Sequence, residues 1–359
     1  MKIGIVTQSL ANNYGGILQN YALQMILKRL GHIPVTIDFK CPPVDYRTYS
    51  YVLVKALVAN IIPSKRRPIP KRDINRRSST MDAFVNKNLL KTNLLDHYNT
   101  ELVDEYGLDA LIVGSDQVWR PIYNYYLEDM FLQFAVDADI PKIAYAASFG
   151  VDNWEFTADQ TRSCRRLAHY FKSISVRERS GIDLCRDFLN IDAVEMVDPT
   201  MLLSRTDYET LCKDIPVNKK NILAAYVLDL NNEKKRFINK LAEKHNLEVV
   251  LFRADLNCSL SIEEWIAMFR DSKYIVTDSF HGTVFSIIFN KPFLSIPNVG
   301  RGTTRFTSLL AKFGLEHRLV STFDTYNETE TIDWNQINGI IVSLKYKACS
   351  YLTSHLSCI

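Results

Sequence analysis

The sequence predicts an α/β protein of two doubly wound, Rossmann-like domains, with its working site in the cleft between them. Three observations carry that expectation. Short β-branched runs alternate with helix-period segments from end to end, the pattern of parallel strands covered by helices. The alternation breaks at the polar stretch Arg205 to Lys220, with its Pro216 and paired lysines, and then restarts. With 359 residues, 47% hydrophobic and 23% charged, the chain is long enough for two cores of ordinary size.

Taken in order, Lys2 to Val6 reads as a buried strand, Ile17 to Leu30 as a helix ended by Gly31, and Pro34 to Asp38 as the next strand. Asp109 to Val113, Lys142 to Ala147, Ser173 to Val176 and Val194 to Val197 are further strands, with helices at Asp159 to Tyr170 and Arg179 to Leu189. After the restart, Asn221 to Tyr226, Leu247 to Phe252, Tyr274 to Thr277 and Phe293 to Ile296 read as strands. Helices at Asn232 to His245, Ile262 to Phe269 and Thr283 to Phe289 separate them, and Asn335 to Leu352 reads as a last helix. The expected division is an N-terminal domain over 1–205, a C-terminal domain over 206–334, and a helix within 335–359 that crosses back to the first domain.

Bulk properties exclude several classes. A formal charge of +3, from 43 basic and 40 acidic residues, does not indicate a nucleic-acid partner. The seven cysteines are odd in number, widely spaced and without a CxxC, so reduced cytoplasmic thiols are expected rather than a disulfide framework or zinc site. The N-terminus enters a strand with no apolar signal core, and no apolar run approaches the roughly 20 residues that span a bilayer. One segment stands apart: Lys65, Arg66, Arg67, Lys71, Arg72, Arg76 and Arg77 follow the apolar stretch Tyr51 to Ile62. Residues 51–77 read either as a solvated loop or as a peripheral patch for anionic lipid at the inner membrane face.

In open parallel sheets, ligands collect outside the carboxyl ends of the strands. The first such joint holds Asn13, Tyr14 and Gly15 before a helix, where glycines admit a ligand close to the backbone and amides bind sugar or phosphate oxygens. It lacks GxGxxG, so a dinucleotide site is not supported. The second, Gly114 to Trp119, offers Ser115, Asp116, Gln117 and Trp119; Asp116 either grips hydroxyls as a base beside an indole platform or merely caps the following helix. Ser148-Phe149-Gly150 ends a third strand and reads as loop-shaping. In the fourth joint, Ser279 caps a helix and His281 stands at its positive end, where an anion also settles, with Thr283 following. Arg177, Arg179, Arg301 and Arg305 leave other strands, and their guanidinium forks match phosphate and carboxylate.

Together, NNYGG, GSDQVW, YAASFG, SVRERS, VDPT, TDSFHGTVFSIIFNKPF and the RGTTR loop, in this order from about residue 1 to about residue 320, resemble the polysaccharide pyruvyl transferase family. The resemblance implies a GT-B-like fold, phosphoenolpyruvate as donor substrate with no cofactor and no metal, and a product in which pyruvate bridges two hydroxyls of a sugar as a ketal. The acceptor would belong to a capsule or exopolysaccharide, or to its lipid-linked precursor. Carried over to this chain, the family's SVR arginine falls on Arg177 and its histidine on His281; better-described members carry an arginine where this chain has Ser279. The implied roles are His281 as acid/base, Asp116 as acceptor-side base, and Arg177 with Arg301 or Arg305, Ser279 and Thr283 as donor clamp. Asn13, Tyr14, Gly15, Ser115, Gln117 and Trp119 would form the acceptor side. Two other classes fit the same architecture: a nucleotide-sugar glycosyltransferase, which would want a base pocket and a ribose carboxylate, and a non-catalytic sugar-binding protein.

Overall fold

The computed structural model describes residues 1–10, 13–39, 79–124, 126–218, 221–252, 260–298, 302–321, 323 and 331–356. Among them, the strand runs form two sheets whose pairings are all parallel. The first is six-stranded in the order β2-β1-β3-β4-β5-β6, and the second four-stranded in the order β10-β9-β7-β8. Their strands are β1 Lys2–Val6, β2 Ile33–Thr36, β3 Ala110–Val113, β4 Lys142–Ala147, β5 Ser173–Val176, β6 Val194–Glu195, β7 Ile222–Tyr226, β8 Glu248–Phe252, β9 Tyr274–Thr277 and β10 Phe293–Ser295. β3, β4, β7 and β9 are buried at every position, which is why they read as continuous apolar runs rather than as alternation.

Each order reverses direction once. From β1 the chain steps outward to β2 and returns to β3 on the other side, and from β7 it steps to β8 and returns to β9. The joints after β1 and β3, and after β7 and β9, therefore flank crevices that helices cannot cover.

The packing is layered. One apolar cluster runs from Ile3 and Ile17 through Trp265 and Phe285 to Tyr351 and Leu352, so elements of both sheets and the Trp334–Leu356 helix share a core. Trp265 is its centre: its ring stacks on Tyr14 of the first-sheet side at 5.4 Å and meets Phe285 edge-on at 4.8 Å. Truncating such a side chain to alanine costs about 3–5 kcal/mol. Separate clusters cover the other face of each sheet. Tyr351 Oη donates to the Ala144 carbonyl of β4, which fixes the last helix against the first sheet.

Four elements differ from the sequence reading in kind or in where they begin. Arg205–Leu211, expected as polar linker, is a helix held by a capping box in which Ser204 and Asp207 bond each other's backbone N–H groups. Thr304–Ala311, expected as a loop, is a helix as well. The first helix begins at Tyr14 and the fourth joint's helix, Phe280–Ile288, at Phe280, so Gly15 and His281 lie inside first turns and not ahead of them.

Candidate functional site

The two crevices open on one cavity of about 290 Å³. Its wall takes Asn13 and Gly15 from the β1 joint and Asp116 and Gln117 from the β3 joint; Leu228 and Asp278 come from the β7 and β9 joints, and Ser279, Phe280, His281 and Arg305 from the two helices beyond.

On the first-sheet side, Asn13 Nδ2 donates to Asp116 Oδ2 at 3.1 Å across the switch point. Asp116 holds a left-handed backbone conformation, φ 75°, which L-residues adopt at a cost of about 1–2 kcal/mol. That conformation lets its other oxygen accept from the Gln117 N–H while the carboxylate stays on the cavity wall.

On the second-sheet side, Ser279 Oγ accepts from the Gly282 N–H as N-cap, leaving the helix's first turn to carry His281. The ring lies against Gly15, where a Cβ would stand 1.9 Å from Nδ1, so this glycine makes room for the imidazole and not only for a ligand. His281 Nε2 lies 3.5 Å from Asp198 Oδ2.

Asp198 is the hub. Its Oδ2 accepts from Arg177 at 2.8 Å and from Ser115 Oγ at 3.0 Å, and its Oδ1 from the Thr200 N–H and hydroxyl. Burial alone would raise this carboxyl, but His281 and Arg177 beside it hold it well below the usual carboxylate range. Burial likewise opposes the Arg177 cation, and Asp198, Asp116 and Glu178 around it more than compensate. Phe280 lies between two guanidiniums, with Arg177 Cζ 4.3 Å and Arg305 Cζ 5.6 Å from its ring centroid. Burial and the nearby Arg177 charge push Arg305 down to about 10.

A family model described as polysaccharide pyruvyl transferase matches residues 13–299, a span that contains Asn13, Asp116, Arg177, Asp198 and His281. The chain belongs to that family. No curated protein matches it. Among solved structures it is similar to the UDP-GlcNAc 2-epimerase from Neisseria meningitidis bound to UDP-GlcNAc, at 11% identity and TM-score 0.51, covering 99% of each chain. It is also similar to the UDP-GlcNAc 2-epimerase from Methanocaldococcus jannaschii, at 10% identity and TM-score 0.49, covering 95% of this chain and 92% of that one. At such identity the likeness shows the fold alone, which is that of GT-B enzymes.

Of the expected site residues, the structure brings Asn13, Gly15, Asp116, Gln117, Ser279, His281 and Arg305 to the cavity wall, while Tyr14, Ser115, Trp119, Arg177 and Thr283 are not among its lining residues. Trp119 corrects the expectation of an indole platform: fully buried, it stacks on Phe131 at 4.6 Å and donates Nε1 to the Met130 carbonyl. Tyr14 is equally buried, with its hydroxyl donating to the Leu260 carbonyl. Ser115 faces Asp198, and the Thr283 hydroxyl pairs with Ser295 at 2.6 Å beneath the helix. Arg177, expected as a donor clamp, is buried among three carboxylates, 2.8 Å from Asp198, 3.6 Å from Asp116 and 3.9 Å from Glu178, and is not among the cavity's lining residues. Arg179 is exposed, while Arg301 and residues 51–77 lie outside the described residues. No helix among the described residues is long and apolar enough to cross a membrane, and no group of three His, Cys, Asp or Glu side chains there could hold a metal ion.

Asp198, the centre of this network, is the residue the sequence reading passed over. The signal was present in VDPT, since an aspartate leaving a short strand before a proline stands at a carboxyl end like the other four joints.

Proposed function

We propose that the protein transfers pyruvate from phosphoenolpyruvate to two hydroxyls of one sugar residue in a bacterial surface polysaccharide or its lipid-linked precursor. The observation that carries this reading is the pairing, in one small cavity, of a cationic wall at Arg305 and the Phe280–Ile288 helix start with an acid/base group, His281, facing a carboxylate, Asp116. A volume of about 290 Å³ lies at the small end of ligand sites, which run from about 300 to 1,000 Å³. It suits a three-carbon phosphorylated donor better than a nucleotide sugar.

The donor's phosphate and carboxylate bind at Arg305 and the helix N-terminus, where the Ser279 cap leaves backbone N–H groups directed at the cavity. Arg305 thus supplies the guanidinium that the family motif has at the position of Ser279. Asp198, 3.5 Å from Nε2, and Gly15, against Nδ1, orient the His281 ring on the cavity wall, where it exchanges a proton with the donor. His281 protonates the methylene carbon of the donor, and positive charge develops at C2. A sugar hydroxyl attacks C2 and gives its proton to Asp116. The C2–O bond to phosphate then breaks, phosphate leaving with the electron pair, and the neighbouring hydroxyl closes the ketal with loss of its own proton.

The basic run within 51–77 would hold the protein peripherally at the cytoplasmic membrane face, near a lipid-linked acceptor. The test is incubation of the full chain with phosphoenolpyruvate and glycan precursors from its native host. Glycan-dependent phosphate release, with a product heavier by one pyruvate ketal, supports the reading. Binding of nucleoside diphosphates without any turnover of phosphoenolpyruvate would exclude it.

A further inference from the structure

With Trp119 in the core, the first-sheet side of the cavity has another aromatic group at its mouth. Tyr123 lines the cavity together with Asp116 and Gln117, yet the residue is 40% exposed. Its neighbour Ile122 is 58% exposed. Tyr123 combines solvent exposure with a place on the wall of a polar cavity, so part of its ring is open to a ligand in that cavity.

The turn that presents Tyr123 is rigid. Pro121 opens the 3₁₀ turn Pro121–Tyr123 and fixes its first φ. Asn124 Nδ2 donates to the carbonyls of Gln117, Val118 and Arg120 at 2.8–3.0 Å, tying the turn to the β3 joint. Arg120 places its guanidinium 5.3 Å from the Tyr123 ring centroid and is itself anchored by both oxygens of Glu155, at 2.9 and 3.1 Å. A side chain so braced loses little conformational entropy when a ligand stacks on it.

We propose that Tyr123 is the stacking platform for the acceptor sugar, with Ile122 continuing the contact toward the next sugar of an extended glycan. Resting on the pyruvyl-transfer reading, this names the acceptor class. The chemistry around the ring is complementary to a pyranose: apolar C–H faces meet an aromatic, and ring hydroxyls meet the side-chain amides of Asn13 and Gln117 and the carboxylate of Asp116. A sugar stacked there offers its hydroxyls to Asp116 while the donor occupies the Arg305 side. Tyr123 is in this account a specificity-determining residue and takes no part in proton transfer.

The experiment measures binding of glycan fragments from the native host's surface polysaccharide to the full chain without donor, and steady-state kinetics with donor. Tyr123→Ala is expected to weaken glycan binding and raise KM for the acceptor by about 10-fold or more, the scale of one lost aromatic stack, with KM for phosphoenolpyruvate within 2-fold, roughly. Tyr123→Phe, which keeps the face and the Arg120 contact, is expected to restore both. Unchanged acceptor binding in Tyr123→Ala, or no glycan fragment bound by the wild-type chain, would overturn the platform. The two claims separate cleanly. Phosphate release from phosphoenolpyruvate that is insensitive to Tyr123→Ala removes the platform and keeps the reaction. Glycan binding that depends on Tyr123 without any such release removes the reaction and keeps the platform.

Discussion

The switch points of the two sheets each carry an aspartate just past a central strand, Asp116 after β3 and Asp278 after β9, and the two are put to different uses. Asp278 is fully occupied: it accepts from the Leu228 and Asp229 N–H groups at 2.6 and 3.1 Å and from Lys234 at 2.7 Å, which ties down the loop after β7. Among the described residues, the Asp116 carboxylate bonds its own neighbour's N–H and the Asn13 amide, with Arg177 3.6 Å away, and it sits in a strained backbone conformation on the cavity wall. One topology thus yields a structural carboxylate on one side and a chemically available one on the other. What separates them is the supply of backbone donors and not their place in the fold.

Substituting both aspartates separately is the sharpest way to break this comparison. Asp116→Asn is expected to lower turnover by about 10²–10⁴-fold, the range for a lost general base, with little change in melting temperature. Asp278→Asn is expected to cost about 1–3 kcal/mol of stability by weakening several buried bonds at once, with turnover of the folded protein within a few-fold of wild type. Interchanged outcomes, in kinetics and thermal denaturation measured side by side, would mean that the two carboxylates have been assigned the wrong way round.

Next in size is the cationic wall. Arg305→Met removes a charge-assisted contact of about 1.5–3 kcal/mol, so KM for phosphoenolpyruvate should rise by about 10- to 100-fold while acceptor binding without donor holds. A donor KM that does not move would return the clamp to Arg177.

Smaller effects follow from the buried carboxyls. Asp198 is depressed in the fold, so its contribution to stability is complete above its unfolded value of about 3.9 and is lost as pH falls below it. Asp198→Asn should therefore flatten the acid limb of a stability-versus-pH curve, in urea titrations from neutrality down to about pH 3. Asp129 has the opposite sign: burial, with Glu128 adding to it, raises its folded value to about 6. A raised carboxyl favours folding below its unfolded value and loses that advantage as pH rises through about 6, so Asp129→Asn is expected to raise the melting temperature at pH 7 by a few degrees and to leave it unchanged near pH 4. An equal shift at both pH values would remove titration as the cause.

How much of this was legible in the sequence follows from what each signal measures. β4 and β9 occupy the residues expected of them, because a strand buried at every position writes itself as a mostly apolar run. The places of His281 and Asp116 on the cavity wall were legible because strand-to-helix joints are where parallel sheets leave polar groups for ligands. Trp119 and Arg177 were not, because each follows a strand by only a few residues and the local pattern does not say whether a side chain turns to the cavity or into the core. Asp198 was hidden by Asp-Pro, which reads as a boundary. The helix Thr304–Ala311 was hidden because Gly302 and a threonine pair signal a loop; Gly302 is in fact glycine because its positive φ, 93°, brings it against the Gly150 carbonyl, where a Cβ would stand 1.6 Å away.

The central claim is that His281, held by Asp198, moves a proton onto the donor. His281→Gln keeps a hydrogen-bonding side chain in the first turn of the Phe280–Ile288 helix and removes the exchangeable proton, so it separates proton transfer from positioning. Turnover and phosphoenolpyruvate binding should be measured on the same folded sample across pH. The account predicts turnover lower by about 10²–10⁴-fold, donor binding changed by much less, and a pH profile that has lost one ionisation. Near-normal turnover in His281→Gln would contradict it and leave His281 as a group that only positions phosphate.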